Sequence, residues 1–161
     1  MEAFLHESAR QLRDVYLPRI ARALEILPPG DLWWRPREDM TGIGNLLLHL
    51  EGNVRQWILG GLGGARIARR RAAEFAAREG APFDALRATT IDAARVIETL
   101  DVARLPGPLS IQGFDTTGLA AIYHVVEHFS WHTGQIVWIA KLRAGAGHGL
   151  AFYDDGKLNR G

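Results

Sequence analysis

Apolar residues recur at the three- and four-residue spacing of an α-helix through most of this chain, and Pro- and Gly-rich breakers divide the pattern into segments. The spacing predicts four long helices, with a short basic helix between the second and the third. The predicted bounds, in chain order, are 2–27, 42–60, 65–79, 82–100 and 116–143. No segment shows a convincing strand-like alternation, and we expect residues 109–115 to be extended or loop. Because long helices joined by short breakers bury their apolar stripes against one another, the pattern predicts an all-α four-helix bundle.

Residues with special backbone preferences mark the expected irregularities and ends of these helices. Pro18 interrupts the first apolar stripe and predicts a kink or a local break. Thr41 is a plausible N-cap of the second long helix, and Thr116 or Thr117 can cap the last one. Gly145 suits the position just after the last helix, where a left-handed backbone is common.

Length and composition fit one domain. The 161 residues are 47% hydrophobic and 23% charged, which is ordinary for a globular domain that buries one core. We expect a single domain over 1–161, with a helical core at 2–145 and an irregular tail at 146–161. The net charge of +1 gives no electrostatic case for binding nucleic acid, and Arg66–Arg71 is interpreted as part of a solvated helix face. No apolar stretch approaches the length of a membrane helix, and the absence of Cys excludes disulfides and thiolate ligands and favours a cytoplasmic location.

Three histidines give the sequence its clearest chemical signal. His128 and His132 are four residues apart in the last predicted helix, so their rings project from one face, one turn apart. His49 lies in the second long helix and could complete a three-imidazole site against that pair. Three imidazoles leave one position of a tetrahedral ion open, as in catalytic metal sites, and neutral imidazoles suit Zn²⁺ and Ni²⁺. The competing interpretation is that these histidines are hydrogen-bonded residues of the core or the helix surfaces.

Further polar residues extend both histidine-bearing faces. Asn45 and Asn53 lie four residues before and after the histidine of the second long helix. His124 lies one turn before the pair in the last helix, and Gln135 follows that pair by three residues, where it could orient an imidazole or a bound water. Gly134 would permit close approach of a neighbouring helix or a ligand, or is a packing contact. Two facing polar stripes predict a polar pocket, although each Asn could simply hydrogen-bond a partner helix.

A rival motif overlaps the histidine pair. His124, Glu127 and His128 match the H-x-x-E-H signature of inverted zinc proteases, in which the glutamate is the general base. Such enzymes take a further metal ligand from well downstream in a much larger domain. Only 33 residues follow His128, which disfavours this alternative.

Two blocks of sequence carry a resemblance to a known family: GNLLLHLEGN at 44–53 and HVVEHFSWHTGQI at 124–136. With them the chain resembles the DinB/YfiT-like superfamily, and most of all its DUF1572 branch of uncharacterised bacterial proteins. The resemblance implies a four-helix bundle in up-down-down-up order that binds a divalent metal ion. The ligands that it implies, carried over by position, are His49, His128 and His132. His124 falls outside this triad, so we assign it a supporting or structural role.

Some relatives implied by this resemblance are thiol-dependent transferases that use bacillithiol, mycothiol or glutathione. A metal ion makes a bound thiol nucleophilic at neutral pH, and a chain without Cys must take that thiol from a small cosubstrate. We therefore expect a metal-dependent S-transferase with a small-molecule substrate. The alternatives are a non-catalytic metal-binding or structural protein, possibly a homodimer, and a metal-dependent hydrolase.

Two features near the expected site stay open. Several arginines could hold a carboxylate of the thiol, and the spacing does not select among them; they are Arg35, Arg37, Arg55, Arg66, Arg69, Arg70 and Arg71. Asp154 and Asp155 could supply a fourth ligand if the tail folds over the site, with a surface turn as the default.

Overall fold

The computed structural model describes residues 1–154, and this part of the chain is mostly helical. The α-helices are α1 (Glu2–Arg10), α2 (Leu17–Glu25), α3 (Ile43–Val54), α4 (Arg71–Ala76), α5 (Phe83–Glu98) and α6 (Gly118–Ala144). The other elements are π-helical segments at Gln11–Tyr16 and Arg55–Leu62, 3-10 turns at Asp31–Trp33 and Val102–Arg104, and strands β1 (Pro108–Ile111) and β2 (Phe114–Thr117). Within 1–154, none of the helices combines the length and hydropathy that crossing a bilayer requires.

The long helices bury their apolar stripes against one another. α5 contacts α1 and α3, and α6 contacts α2 and α3. Large side chains that are fully removed from solvent include Leu12, Ile20, Leu47, Leu50, Ile97, Ile122 and Phe129. Each such burial stabilises the fold by about 1.5–3 kcal/mol, so this core fixes α3 and α6 relative to each other. The expected mostly helical class is confirmed, whereas the up-down-down-up order of a four-helix bundle stays a prediction.

The first helical run continues past Pro18 instead of ending there. It extends from Glu2 to Glu25 and becomes π-helical over Gln11–Tyr16, directly before α2 and Pro18. Proline has no N–H and crowds the carbonyl one turn earlier, which a wider π turn relieves. The irregularity predicted at Pro18 therefore takes the form of a π segment rather than a break.

Helix ends agree with the prediction in α6 and differ in α3. The N-cap of α3 is Gly42 rather than Thr41, and the Oδ1 atom of Asn45 accepts a hydrogen bond from the Gly42 N–H at 3.2 Å. The side-chain amide of Asn45 thus satisfies a backbone N–H at the start of α3, where the hydroxyl of Thr41 was the expected cap. Thr117 caps α6 by accepting a backbone N–H, and Gly145 ends it with φ of 75°.

The segment before α6 corrects the expectation that the chain has no strands. β1 and β2 pair antiparallel, from Pro108 opposite Thr117 to Ile111 opposite Phe114. The two turn residues, Gln112 and Gly113, both have positive φ, of 56° and 77°. This is the geometry of a type I′ turn, which matches the twist of a hairpin. Strands of four residues are too short for an alternating pattern to stand out in sequence.

The basic segment corrects a second expectation. Helix was predicted over 65–79, but only Arg71–Ala76 is helical. Side chains five residues apart in a continuous helix point about 140° from one another. Arg69 and Glu74 nevertheless form a two-bond ion pair, at 2.6 and 2.8 Å, because the chain before α4 turns Arg69 inward. The interpretation of this stretch as a solvated face is wrong for Arg69, whose side chain is 6% exposed.

The described part of the tail folds back over α2. Leu150 is buried, and the guanidinium groups of Arg19 and Arg22 lie over the ring of Phe152, at 5.6 and 5.3 Å from its centroid. Arg19 also donates to the hydroxyl of Tyr153 at 3.0 Å. Residues 146–154 are therefore irregular in structure, as predicted, and cover the far end of the first helical run, whereas residues 155–161 of the predicted tail lie outside the described part of the chain.

Candidate metal centre

α3 and α6 bring the three predicted histidines together. Among residues 1–154, His49, His128 and His132 form a group that could hold a metal ion, with one ligand atom of each within 4.8 Å of the others. The Nε2 atoms of His49 and His128 are 3.0 Å apart, and the ring centroids of His128 and His132 are 4.4 Å apart. A tetrahedral ion with Zn–N bonds of about 2.0–2.1 Å holds its ligand nitrogens about 3.4 Å apart. The His49–His128 separation is close to this spacing, and the ligand nitrogen of His132 lies within 4.8 Å of both.

His49 is held from behind by a buried ion pair. Its Nδ1 atom lies 3.0 Å from Oε2 of Glu74, which in turn accepts two hydrogen bonds from Arg69. Arg69 also donates to the backbone carbonyl of His49 at 3.3 Å and to the side chain of Gln56 at 3.2 Å. Nδ1 also lies 3.1 Å from a guanidinium nitrogen of Arg69. In the tautomer that donates Nδ1–H to the carboxylate, the lone pair of the ring is on Nε2, which lies 3.0 Å from Nε2 of His128. This carboxylate–histidine arrangement is the one that commonly orients metal-binding imidazoles.

His132 is held by a different partner on its own helix. Its Nδ1 lies 2.5 Å from Oε1 of Gln135, one turn further along α6. The amide oxygen accepts the Nδ1 proton, which again leaves Nε2 free for the site. The prediction that Gln135 orients an imidazole agrees with this contact.

All three imidazoles are in the neutral form that a metal requires. Burial, together with the neighbouring imidazoles, lowers the pKa of His128 to about 3. Burial also lowers the pKa of His49 and of His132, although the hydrogen bonds to Glu74 and Gln135 oppose part of each effect. Burial disfavours the charged form of Glu74, but the bonds from Arg69 and His49 outweigh it and hold the pKa of Glu74 below its usual value. At neutral pH the site thus offers three lone pairs backed by one carboxylate.

Asn45 is near the site but does not face it. Its Oδ1 accepts from Arg35 at 2.6 Å as well as from the start of α3. Its Nδ2 donates to backbone carbonyls at the end of α4, including Glu74 at 2.9 Å and Ala77 at 3.0 Å. Asn45 therefore anchors the segment that carries Glu74 and reaches the histidines only through it.

Asn53 and His124 form a second layer on the other side. Nδ2 of Asn53 lies 3.2 Å from Nε2 of His124, and the His124 ring lies 4.3 Å from that of Trp57, centroid to centroid. His124 also stacks on His128, with ring centroids 5.4 Å apart. His124 is outside the group of possible ligands within 1–154, and its supporting role stays a prediction.

The geometry does not support the two other sources of ligands that the sequence offered. Glu127, the general base of the inverted zinc-protease motif, is exposed, and His124, which that motif would use as a ligand, is not in the group of residues within 1–154 that could hold a metal. Asp154 is exposed and is not in the group that could hold a metal, and Asp155 lies outside the described residues.

A polar cleft of about 330 Å³ opens onto His49 and His128, two of the three histidines. It is lined by His49, Asn53, Trp57, Arg69, Arg71, Gln112, Phe114, His124 and His128. The turn of the hairpin closes one side, because Gln112 accepts from the indole N–H of Trp57 at 3.1 Å and donates to Gln56 at 2.6 Å. The strands that the sequence did not reveal therefore shape access to the candidate site.

Within residues 1–154, no neighbouring helix packs closely against Gly134, in contrast to one of the two roles suggested for it. A Cβ atom at Gly134 would have no neighbouring heavy atom within 4 Å. The residue instead lines an open, largely apolar groove of about 380 Å³, between the exposed rings of Trp131 and Trp138 and beside Gln135. Close approach occurs at Gly52 on α3, where a Cβ would meet Oε1 of Glu74.

Glu74, Arg69 and Gly52 are the supporting residues that sequence reasoning missed. Helical periodicity does not link Glu74 to any of the three histidines. A signal was present in Gly52, one turn after His49 in an otherwise strong helix, since such a glycine often marks close packing. It did not identify which residue packs there.

The three neutral nitrogen donors suit a divalent ion such as Zn²⁺ or Ni²⁺. A family model described as "Protein of unknown function (DUF1572)" matches residues 1–148. The chain belongs to the DUF1572 family. Comparisons with curated proteins and with solved structures gave no match. All three histidines of this DUF1572 member lie within the matched region, and the wider DinB/YfiT-like resemblance stays a prediction.

Proposed function

We propose that this DUF1572 protein binds a divalent metal ion, Zn²⁺ or Ni²⁺, through His49, His128 and His132. The observation that carries the proposal is the convergence of three neutral imidazoles, two of them fixed through Nδ1 so that Nε2 faces the site. The helix contacts are compatible with the up-down-down-up four-helix bundle that the family resemblance implies. Three protein ligands leave room for one exchangeable ligand, as in catalytic zinc sites.

We further propose that the site performs thiol-dependent transfer. The metal ion would supply Lewis acidity that lowers the pKa of a small thiol in the cleft. The S–H bond breaks, a new S–C bond forms to an electrophilic carbon of the acceptor, and the proton leaves with the displaced group. The protein contributes orientation, since Glu74 and Gln135 fix His49 and His132 while the cleft admits the cosubstrate. The presence of this cleft beside the histidines favours a reactive site over a purely structural one.

Metal analysis tests the first proposal. Wild-type protein should retain close to one equivalent of Zn²⁺ after dialysis, and H49A and H132A should each lose most of it, because two imidazoles hold the ion far more weakly than three. His124→Ala is the matched control, since it removes a neighbouring histidine from the same face of α6 and should keep the metal. Full metal content in H49A and H132A would show that the triad is not the site. Loss in H124A with retention in H132A would favour the inverted-protease arrangement.

Thermal unfolding with small thiols tests the second proposal. A ligand that binds only the folded protein raises the melting temperature, by an amount that grows with its concentration. Bacillithiol, mycothiol or glutathione should do so in the metal-loaded protein and not after chelation. Absence of a response to all three, in protein shown to hold metal, would contradict thiol transfer while leaving the metal site intact.

A further inference from the structure

The polar cleft contains one arginine whose charge is not already neutralised. Of the arginines that the sequence left open as carboxylate anchors, only Arg69 and Arg71 line this cleft. Arg69 is bound by Glu74 through two hydrogen bonds. Arg71 has no carboxylate partner within residues 1–154 and rests on the ring of Phe75, with its guanidinium carbon 4.8 Å from the centroid.

The remaining arginines are committed elsewhere or face other surfaces. Arg66 is exposed and does not line the cleft. Arg37 pairs with Asp39 and Arg55 with Glu51. Arg35 donates to Asn45 and to backbone carbonyls. Arg70 lines a separate groove on the outer side of α3 and α4. The structure thus selects Arg71 as the candidate carboxylate anchor in the cleft, which the sequence spacing did not allow.

Arg71 is also at the right distance from the histidines for a small ligand to reach both. The ring of Phe75 packs against that of His49, with centroids 4.9 Å apart. Because Phe75 lies between them, the guanidinium carbon of Arg71 is within about 10 Å of the His49 ring. No carboxylate from residues 1–154 lines the cleft, and Trp57 and Phe114 provide apolar walls.

We propose that the cleft binds a small thiol that carries a carboxylate, with the carboxylate paired to Arg71 and the sulfur directed toward the three histidines. This rests on the proposed thiol-dependent function and specifies its cosubstrate class. An arginine presents parallel N–H donors that match a carboxylate, and the stacked Phe75 ring restricts the guanidinium orientation. Arg71 is therefore the residue that sets the preference for an anionic thiol over a neutral one.

A binding titration with cobalt-substituted protein tests the proposal without measuring activity. Coordination of sulfur to Co²⁺ gives a charge-transfer absorption band, so the dissociation constants of 3-mercaptopropionate and 2-mercaptoethanol can be compared directly. Wild-type protein should bind 3-mercaptopropionate about five-fold more tightly, which is typical of one partly exposed ion pair. Arg71→Gln should remove this preference while keeping cobalt content, and Arg70→Gln, one residue away on the outer groove, should keep it.

The outcomes separate this inference from the function on which it rests. If neither thiol produces the band in cobalt-loaded wild-type protein, thiol binding itself is wrong. If both produce it with equal affinity, or if R71Q keeps the wild-type preference, the carboxylate anchor is wrong and thiol binding survives. If R71Q folds poorly, the salt dependence of thiol binding to the wild-type protein tests the proposal instead. Raising the salt concentration should reduce the preference for 3-mercaptopropionate, because salt screens the ion pair with Arg71. A preference that is insensitive to salt contradicts the role of Arg71.

Discussion

His49 and His132 face the same site, but the protein holds them in different ways. Behind His49 is a buried carboxylate from a segment 25 residues away in sequence, and its own partner Arg69 is buried as well. Behind His132 is Gln135, an exposed residue three positions along the same helix. One support depends on the tertiary fold, and the other needs only a helix turn.

This difference determines on which side of the site metal affinity is coupled to the stability of the fold. A buried charge is costly to leave without its partner, so removing one member of the ion pair behind His49 should also destabilise the fold. A local, exposed hydrogen bond can be removed at little cost to the fold. Substitutions on the two sides should therefore separate metal affinity from stability.

Glu74→Ala should have the largest effect. It leaves the Arg69 guanidinium, whose side chain is 6% exposed, without its carboxylate, and removes the acceptor of His49 Nδ1. We expect the free energy of unfolding of the metal-free protein to fall by about 3 kcal/mol, as for other broken buried ion pairs. Zn²⁺ affinity should fall by about 10- to 100-fold. Urea denaturation and competitive metal titration measure the two quantities.

A double substitution provides the control for Glu74. Glu74→Leu with Arg69→Met removes both charges and should recover most of the stability lost in E74A. It should not recover metal affinity, because His49 still lacks its acceptor. Recovery of both would mean that Glu74 acts on the metal site only through folding.

The same substitution at two glycines sharpens the comparison. A Cβ at Gly52 would meet Oε1 of Glu74 and lie 2.8 Å from Nε of Arg69, whereas a Cβ at Gly134 meets nothing within 4 Å. Gly52→Ala should therefore displace the ion pair, lower stability by about 1–2 kcal/mol and weaken metal binding. Gly134→Ala should raise stability by roughly 0.5–1 kcal/mol, since alanine is the better helix former. Equal shifts in thermal unfolding for the two variants would show that Gly52 is not sterically tied to Glu74.

Helical periodicity was enough to locate the long helices and the three histidines. Burial stripes at a spacing of 3.6 residues depend on local geometry, so the helices of His49 and His128 were predictable within a few residues. The position of Gln135 beside His132 follows from the same periodicity, because a residue three along lies on nearly the same face. The arrangement of His128, His132 and Gln135 on α6 therefore depends only on local helix geometry.

Neither the ion pair behind His49 nor the hairpin could be predicted from helical periodicity. Glu74 reaches His49 because α4 is short and the chain before it turns Arg69 inward, which is a tertiary arrangement without a period. The hairpin depends on two positive φ values at Gln112 and Gly113, and its first turn residue is not one that usually signals such a turn. Long-range pairing of this kind leaves little trace in a single sequence.

Gln135→Ala should have the smallest effect of the series, and it tests the local side of the comparison. The bond from His132 Nδ1 to Gln135 fixes the ring, so its loss should weaken Zn²⁺ binding by about ten-fold, at the low end for such a partner. Stability of the metal-free protein should change by less than about 0.5 kcal/mol, because Gln135 is exposed and its removal leaves no buried charge. Gln135→Glu keeps an acceptor at the same position and should retain most of the affinity in the same competitive titration. If Q135A weakens metal binding as much as Glu74→Ala does, an exposed partner within one helix orients an imidazole as well as a buried one, and the contrast between the two histidines concerns folding alone.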